Sequence, residues 1–361
     1  MSVEPGSFSR REIMSGAASI TLSAAAVAGT AEATTPASAS SDCPAARTFP
    51  PPSSISKAAQ DYLRKGAMQP PPRPVPQPSD REGWHAYIAE GNQSLPADAI
   101  LKMPGVDVEA QQIGGATCYV ATRRGISGAE RRKAHLSIHG GGWILFGGRA
   151  AMALAKVTAM QFGGVTFAVD YRMPPDHPYP AGLDDCFAVY KALLAEYGAK
   201  NILVSGGSAG GNLAAALMHK VRDAGLEKPG ALVLETPITD LTNSGDSWEV
   251  LNGLDPILRD ADGVGSTQLY LNGNDPHHPY LSPLFGDLGS AFPPTHLVTG
   301  TRDRLLSDTV RMHAALRAAG VEADLYVAEA MPHSGFGKQT PEDAAVLTDT
   351  RKWLKGRWPA S

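Results

Sequence analysis

Three residues of this chain have the types and the order that nucleophilic attack on a carbonyl requires: Ser208, Asp303 and His333. A serine hydroxyl attacks efficiently only when a base takes its proton, and imidazole titrates near neutral pH. A buried carboxylate beside that imidazole fixes its tautomer and stabilises the imidazolium. Ser208 sits at the centre of Gly206-Gly207-Ser208-Ala209-Gly210, a G-x-S-x-G pattern. His139-Gly140-Gly141-Gly142-Trp143 adds a second element, three glycines whose N–H groups can point into a cleft. Donors fixed in that way hold the negative oxygen of a tetrahedral intermediate, at about 3–4 kcal/mol per donor lost. The N–H groups of Gly141, Gly142 and Ala209 are the expected oxyanion donors. Asp303 is the expected acid; Asp308, about one helical turn on, is the competing one.

The flanking residues give these groups a context. Asn201-Ile202-Leu203-Val204 reads as a short buried strand, and Asn212 to Met218 as a strong helix former. Between them lies a small-residue turn, the setting in which a central serine is exposed on a sharp bend. Gly206 and Gly210 are expected to lack a Cβ because strand and helix approach closely there. The glycine run follows the strand His135–Ile138. Asp303 and His333 follow two further strands, so all the candidate groups fall at strand C-terminal ends. The regular core begins near Val106, with expected strands at Val108–Ile113, Thr117–Ala121, Val165–Val169, Ala231–Glu235, His296–Thr299 and Asp324–Val327. The first two are expected to pair as a hairpin across Gly114-Gly115. Helical stretches at Ala150–Phe162, Leu183–Tyr197, Asn212–Ala224, Leu306–Ala319 and Glu342–Leu354 alternate with the later strands. That alternation implies an α/β fold, a mostly parallel sheet covered on both faces. Residues 241–284 break the rhythm and read as a helical insertion.

The 361 residues carry a formal net charge of −4, with 43% hydrophobic and 19% charged residues. The balance gives no electrostatic case for nucleic acid, and no basic stripe carries interleaved aromatics. Cys43, Cys118 and Cys186 have no C-x-x-C spacing, so neither a zinc site nor a disulfide framework is implied. His277-His278 has no carboxylate or histidine partner at helical spacing and reads as surface loop; no metal is expected.

At the start, Ser9-Arg10-Arg11-Glu12-Ile13-Met14 is similar to a twin-arginine signal. A mildly apolar stretch and the small-residue site Ala31-Glu32-Ala33 follow. Residues 1–33 are therefore expected to direct export to the periplasm or the medium, with a cytoplasmic location if the signal is unused. No stretch is apolar enough to insert stably in a membrane. Residues 34–105 read as an Ala/Pro-rich linker, polyproline-like around 69–78, with helices expected at Ile55–Met68 and Asp80–Ala89. Residues 106–358 form the expected catalytic domain.

Taken together, the glycine loop, Asp170-Tyr171-Arg172-Met173-Pro174-Pro175-Asp176-His177-Pro178, the Ser208 turn, Tyr280-Leu281-Ser282-Pro283-Leu284 and the Asp303 and His333 loops resemble the hormone-sensitive-lipase-like family of α/β-hydrolase esterases (bacterial family IV). The chain order Ser208, Asp303, His333 agrees. The resemblance implies an α/β-hydrolase fold with a cap built from the N-terminal helices and the 241–284 insertion. It also implies small- to medium-chain esters as substrates and no cofactor. It further implies that His139, Gly140, Asp170, Tyr171 and Arg172 support the oxyanion loop without taking part in the chemistry. One position departs: the family usually has Asp where this chain has Gly207. The expected activity is a serine carboxylesterase acting on a small-molecule ester, with self-association as a homodimer open. A lactone hydrolase using the same three residues, or a non-catalytic ligand-binding protein on the same fold, are the competing readings.

Overall fold

A computed structural model of the chain describes residues 49–68, 74–259 and 262–358. The twin-arginine-like segment, Cys43 and linker residues 34–48 and 69–73 lie outside the described residues. One eight-stranded sheet runs through the rest: β1 Val106–Ile113, β2 Ala116–Arg123, β3 Ala134–Ile138, β4 Val165–Val169, β5 Ile202–Gly207, β6 Ala231–Glu235, β7 Thr295–Gly300 and β8 Ala323–Ala328. Its order is β1-β2-β4-β3-β5-β6-β7-β8. The hairpin β1–β2 and the β2–β4 pair are antiparallel, and every other pair is parallel. The hairpin turns at Gly114-Gly115, both at positive φ, 61° and 89°. Two consecutive positive-φ residues make the tight turn whose twist matches paired strands.

Strand alternation sends Leu136, Ile138 and Val204 to one face, against helices Ala181–Tyr197, Ala209–Asp223 and Leu306–Ala318. The opposite face meets two helices. Ala155 and Ala159 of Arg149–Gln161 lie on β1, β2 and β4, and Trp353 and Leu354 of Pro341–Leu354 lie against Leu203 and Val233. Small alanines at i and i+4 let the first of these helices sit close to the sheet.

The helix after Ser208 begins at Ala209, earlier than the expected Asn212. Gly210 and Gly211 read as turn residues in isolation, yet the close approach of strand and helix requires them inside the helix. A Cβ on Gly206 would lie 2.2 Å from the Gly210 carbonyl oxygen, and one on Gly210 would lie 2.2 Å from that of Ile138. Three short helices, Ala97–Lys102, Gly128–Arg131 and Leu288–Ala291, have no counterpart in the sequence reading. The second rests on a capping box between Ser127 and Glu130, a two-residue device without hydrophobic periodicity. The 241–284 stretch carries helices Asp246–Val250 and Asp262–Leu271. Leu269 shares an apolar cluster with Trp84 of helix Arg81–Gly91 and with Ile144 beside the glycine loop. Among the described residues no helix is long and apolar enough to cross a membrane.

Candidate active site

Ser208 ends β5 with φ 55° and ψ −123°. That backbone is strained for a residue with a side chain, and persists where the surroundings over-determine it. Here its N–H donates to the Glu235 carbonyl at 3.0 Å, and its own carbonyl accepts from Asn212 and Ile238 at 3.0 and 3.3 Å. The bend turns the hydroxyl toward His333, whose Nε2 is 2.9 Å from Ser208 Oγ. On the other side of the ring, Nδ1 is 3.0 Å from Asp303 Oδ1. Asp303 has no exposed surface and is itself held by the Thr299 hydroxyl at 2.7 Å and the Leu305 N–H at 3.0 Å. The expected Ser208, Asp303 and His333 are thus brought into one hydrogen-bonded line.

Burial pulls the His333 pKa down. The hydrogen bond and charge of Asp303, and the charge of Asp255, outweigh it, and the net direction is upward from the ordinary histidine value. Asp255 is the group the sequence did not disclose. It is fully buried, and its Oδ2 accepts from the N–H groups of Arg304 at 3.1 Å and His333 at 3.3 Å. Burial raises its carboxyl pKa, opposed by the charge of His333 and supported by that of Asp303. In sequence it sits in Leu254-Asp255-Pro256 amid Gly, Asn and Asp residues, where an aspartate reads as a turn former.

Asp308, the competing acid, lies elsewhere. Its Oδ2 accepts from the N–H groups of Thr239 and Asp240 at 2.7 and 3.0 Å, and burial pushes its pKa up to about 7. It anchors the start of the insertion and makes no bond to His333.

The glycine loop closes on itself, with the Gly141 carbonyl accepting from Ile144 and Leu145 at 3.1 and 2.9 Å. Gly141 and Gly142 have φ 106° and 59°. A Cβ on Gly140 would come within 2.8 Å of the Gly207 carbonyl and 3.2 Å of the Ser208 Cβ, so loop and serine turn touch. Ala209 is the first residue of the helix behind Ser208, where N–H groups are free of intrahelical partners. His139 donates from Nδ1 to the Gly140 carbonyl at 2.8 Å and stacks on Tyr171 at 4.3 Å. The Tyr171 hydroxyl donates to the His139 carbonyl at 3.0 Å. Asp170 accepts from the Gly148 N–H at 2.9 Å, at the far end of the loop. Asn92 accepts from the Phe146 N–H at 2.7 Å. Arg172 differs from the other supporting residues: its guanidinium grips Asp185 at 2.9–3.1 Å on helix Ala181–Tyr197 and makes no bond to the loop. Its function there is to fix the segment carrying Asp170 and Tyr171.

A cavity of about 490 Å³ opens over Ser208, lined by the glycine loop, Trp248, Ile257, Leu305 and His333 among others. At its edge Lys338 Nζ lies 3.0 Å from Glu235 Oε2. His277 and His278 are exposed and engage Asp275 and Tyr280 locally. Two groups of three possible metal ligands occur among the described residues, Asp255–Asp303–His333 and His296–Asp324–Asp349. In the first, every member is committed to the hydrogen bonds above. In the second, Asp324 and Asp349 lie 3.1 and 3.8 Å from different ring nitrogens of His296. Cys118 and Cys186 are buried free thiols.

Residues 135–336 match the pattern of the alpha/beta hydrolase fold family. An acetyl-hydrolase of Streptomyces hygroscopicus is 34% identical over 187 residues, 51% of this chain and 62% of that protein. An esterase of Acinetobacter venetianus is 33% identical over 216 residues, 59% of this chain and 71% of that protein. The chain therefore spans somewhat under two thirds of the first relative and somewhat more of the second. Among solved structures, that of esterase E25 superposes with a TM-score of 0.77 at 36% identity, covering 86% of this chain and 97% of that one. A hormone-sensitive lipase from a metagenome library superposes with a TM-score of 0.70 at 30% identity, covering 83% and 98%.

Proposed function

The chain belongs to the α/β-hydrolase family, in its hormone-sensitive-lipase-like branch, and from that premise we propose that it hydrolyses short- to medium-chain carboxylic esters through a serine acyl-enzyme. The observation that carries the reading is the unbroken line Ser208 Oγ–His333 Nε2, His333 Nδ1–Asp303 Oδ1, at 2.9 and 3.0 Å beside an open cavity. A ligand-binding protein on this fold would have no use for a base within bonding distance of its serine.

In the proposed reaction Ser208 Oγ attacks the ester carbonyl as His333 Nε2 takes the hydroxyl proton. The carbonyl π electrons move to oxygen, and the N–H groups of Gly141, Gly142 and Ala209 hold the oxyanion. Collapse breaks the bond to the alkoxide, which leaves as the alcohol with the proton from His333. A water molecule then repeats the attack on the acyl-enzyme, again giving its proton to His333. The acid departs and that proton returns to Ser208. Asp303 stays ionised and holds the imidazole in the tautomer with Nε2 free to accept. Ser208→Ala is expected to lower kcat on a p-nitrophenyl butyrate assay by a factor of about 10⁴ or more. Hydrolysis retained at the wild-type rate would rule out this mechanism.

A further inference from the structure

The cavity over Ser208 is lined on both flanks of β5, and one part of it reaches inward under helix Arg149–Gln161. Sheet order puts β3 and β4 on one flank of β5, and β6 to β8 on the other. Asp303 and His333 follow β7 and β8, whereas the inner arm runs over β3 and β5 beneath helix Arg149–Gln161. Leu154, Val157 and Thr158 of that helix form its roof, on the i, i+3, i+4 stripe next to the alanines that touch the sheet. Its floor is Ser137 and Ser205, which face each other across the β3–β5 register. On the opposite face of the same strands stand the bulky Leu136, Ile138 and Val204. The hydroxyl of Ser205 is occupied by His135 Nε2 at 2.6 Å, so it makes no polar demand on an apolar guest.

One residue sets the depth of this arm. At the inner end stands Phe162, buried edge-on to His135 at 5.1 Å. Behind it lies a second cavity of about 370 Å³, lined by Phe162, Gln161, Leu354 and Trp358 among others. Phe162 and Gln161 line both cavities and so form the partition between them.

The chemistry assigns a direction to the substrate, given the esterase reading on which this rests. The departing alkoxide must take its proton from His333 and so leaves on the β6–β8 flank. The oxyanion faces the glycine loop. The remaining substituent of the tetrahedral carbon, the acyl chain, then extends toward β3. We propose that the inner arm holds the acyl chain and that Phe162 fixes the longest chain accepted. From Leu154 to Phe162 the helix advances about 12 Å at about 1.5 Å per residue. With C–C bonds of about 1.5 Å, a zigzag chain gains about 1.25 Å per carbon, so about ten carbons fit.

The test compares kcat/KM over p-nitrophenyl alkanoates of rising acyl length with that over alkyl acetates of rising alcohol length, using wild type, Phe162→Ala and Phe162→Leu. Each newly buried methylene is worth about fourfold in transition-state binding. The dodecanoate-to-butyrate ratio should therefore rise at least about tenfold in Phe162→Ala, and less in Phe162→Leu. The alkyl acetate profile should keep its shape in both variants. Should Phe162→Ala fail to fold, Phe162→Leu carries the same comparison. An active wild type whose acyl profile does not move in the folded variants, or variants that move the alcohol profile instead, would overturn the assignment alone. A wild type inactive on every ester would overturn the esterase reading and the assignment with it.

Discussion

The two flanks of Ser208 are built on opposite principles. On the β6–β8 side the groups are charged, buried and fully engaged: Asp303 accepts from Thr299, Leu305 and His333, and Asp255 from Arg304 and His333. Along the inner arm stand Ser137 of β3 and Ser205 of β5, with Gly140 just after β3, residues that fill little space. A proton has to move along a fixed line, and a misplacement of about 1 Å can cost on the order of 10²-fold in rate. A substrate needs room and tolerates more variation. The charged flank should therefore answer a substitution in rate and pH profile, and the open flank in selectivity.

Among the groups that act through His333, the largest effect is expected from Asp303→Asn. The amide cannot stabilise the imidazolium and favours the wrong tautomer, so kcat should fall by about 10⁴ with the fold retained. A loss of less than about tenfold would mean that Asp255 serves as the orienting acid instead. Asp255→Asn is the intermediate case. Its negative charge helps hold the His333 pKa up. Activity requires neutral His333 and so declines as pH falls through its pKa; removing the charge should move that acid limb to lower pH. A limb that stays in place or moves upward would show that the carboxyl of Asp255 is uncharged beside His333. The smallest effect is expected from Tyr171→Phe, which removes one hydrogen bond to the His139 carbonyl. A bond of that kind contributes about 1 kcal/mol, so kcat/KM should drop a few-fold in steady-state assays.

The same contrast explains what the sequence discloses. The charged flank is legible where a reactive residue type sits in a recognisable frame: Ser208 between glycines at the end of an apolar run, His333 and Asp303 directly after strands. Asp255 is not legible because nothing local marks it. Its function comes from burial against His333, 78 residues away, and an Asp-Pro in a polar stretch looks the same in a surface turn. Arg172 is the reverse case: a motif placed it with the oxyanion loop, but its charge is spent on Asp185. The parallel sheet follows from strand–helix alternation, while the helix start at Ala209 does not. Glycine counts against a helix in any local reading, and only the close contacts of Gly210 with the Ile138 carbonyl and of Gly211 with Pro237 explain two of them in the first turn. The inner arm escapes the sequence altogether, because Ser137 and Ser205 become a floor only when β3 and β5 pair.

The central claim is that His333 activates Ser208, and covalent labelling with a fluorophosphonate probe tests it most directly. Wild type should be labelled at Ser208 by peptide mass mapping, Ser208→Ala should not be labelled, and His333→Ala should react at least about 10³-fold more slowly. A folded wild type that resists the probe, or labelling that proceeds equally fast without His333, would contradict the account.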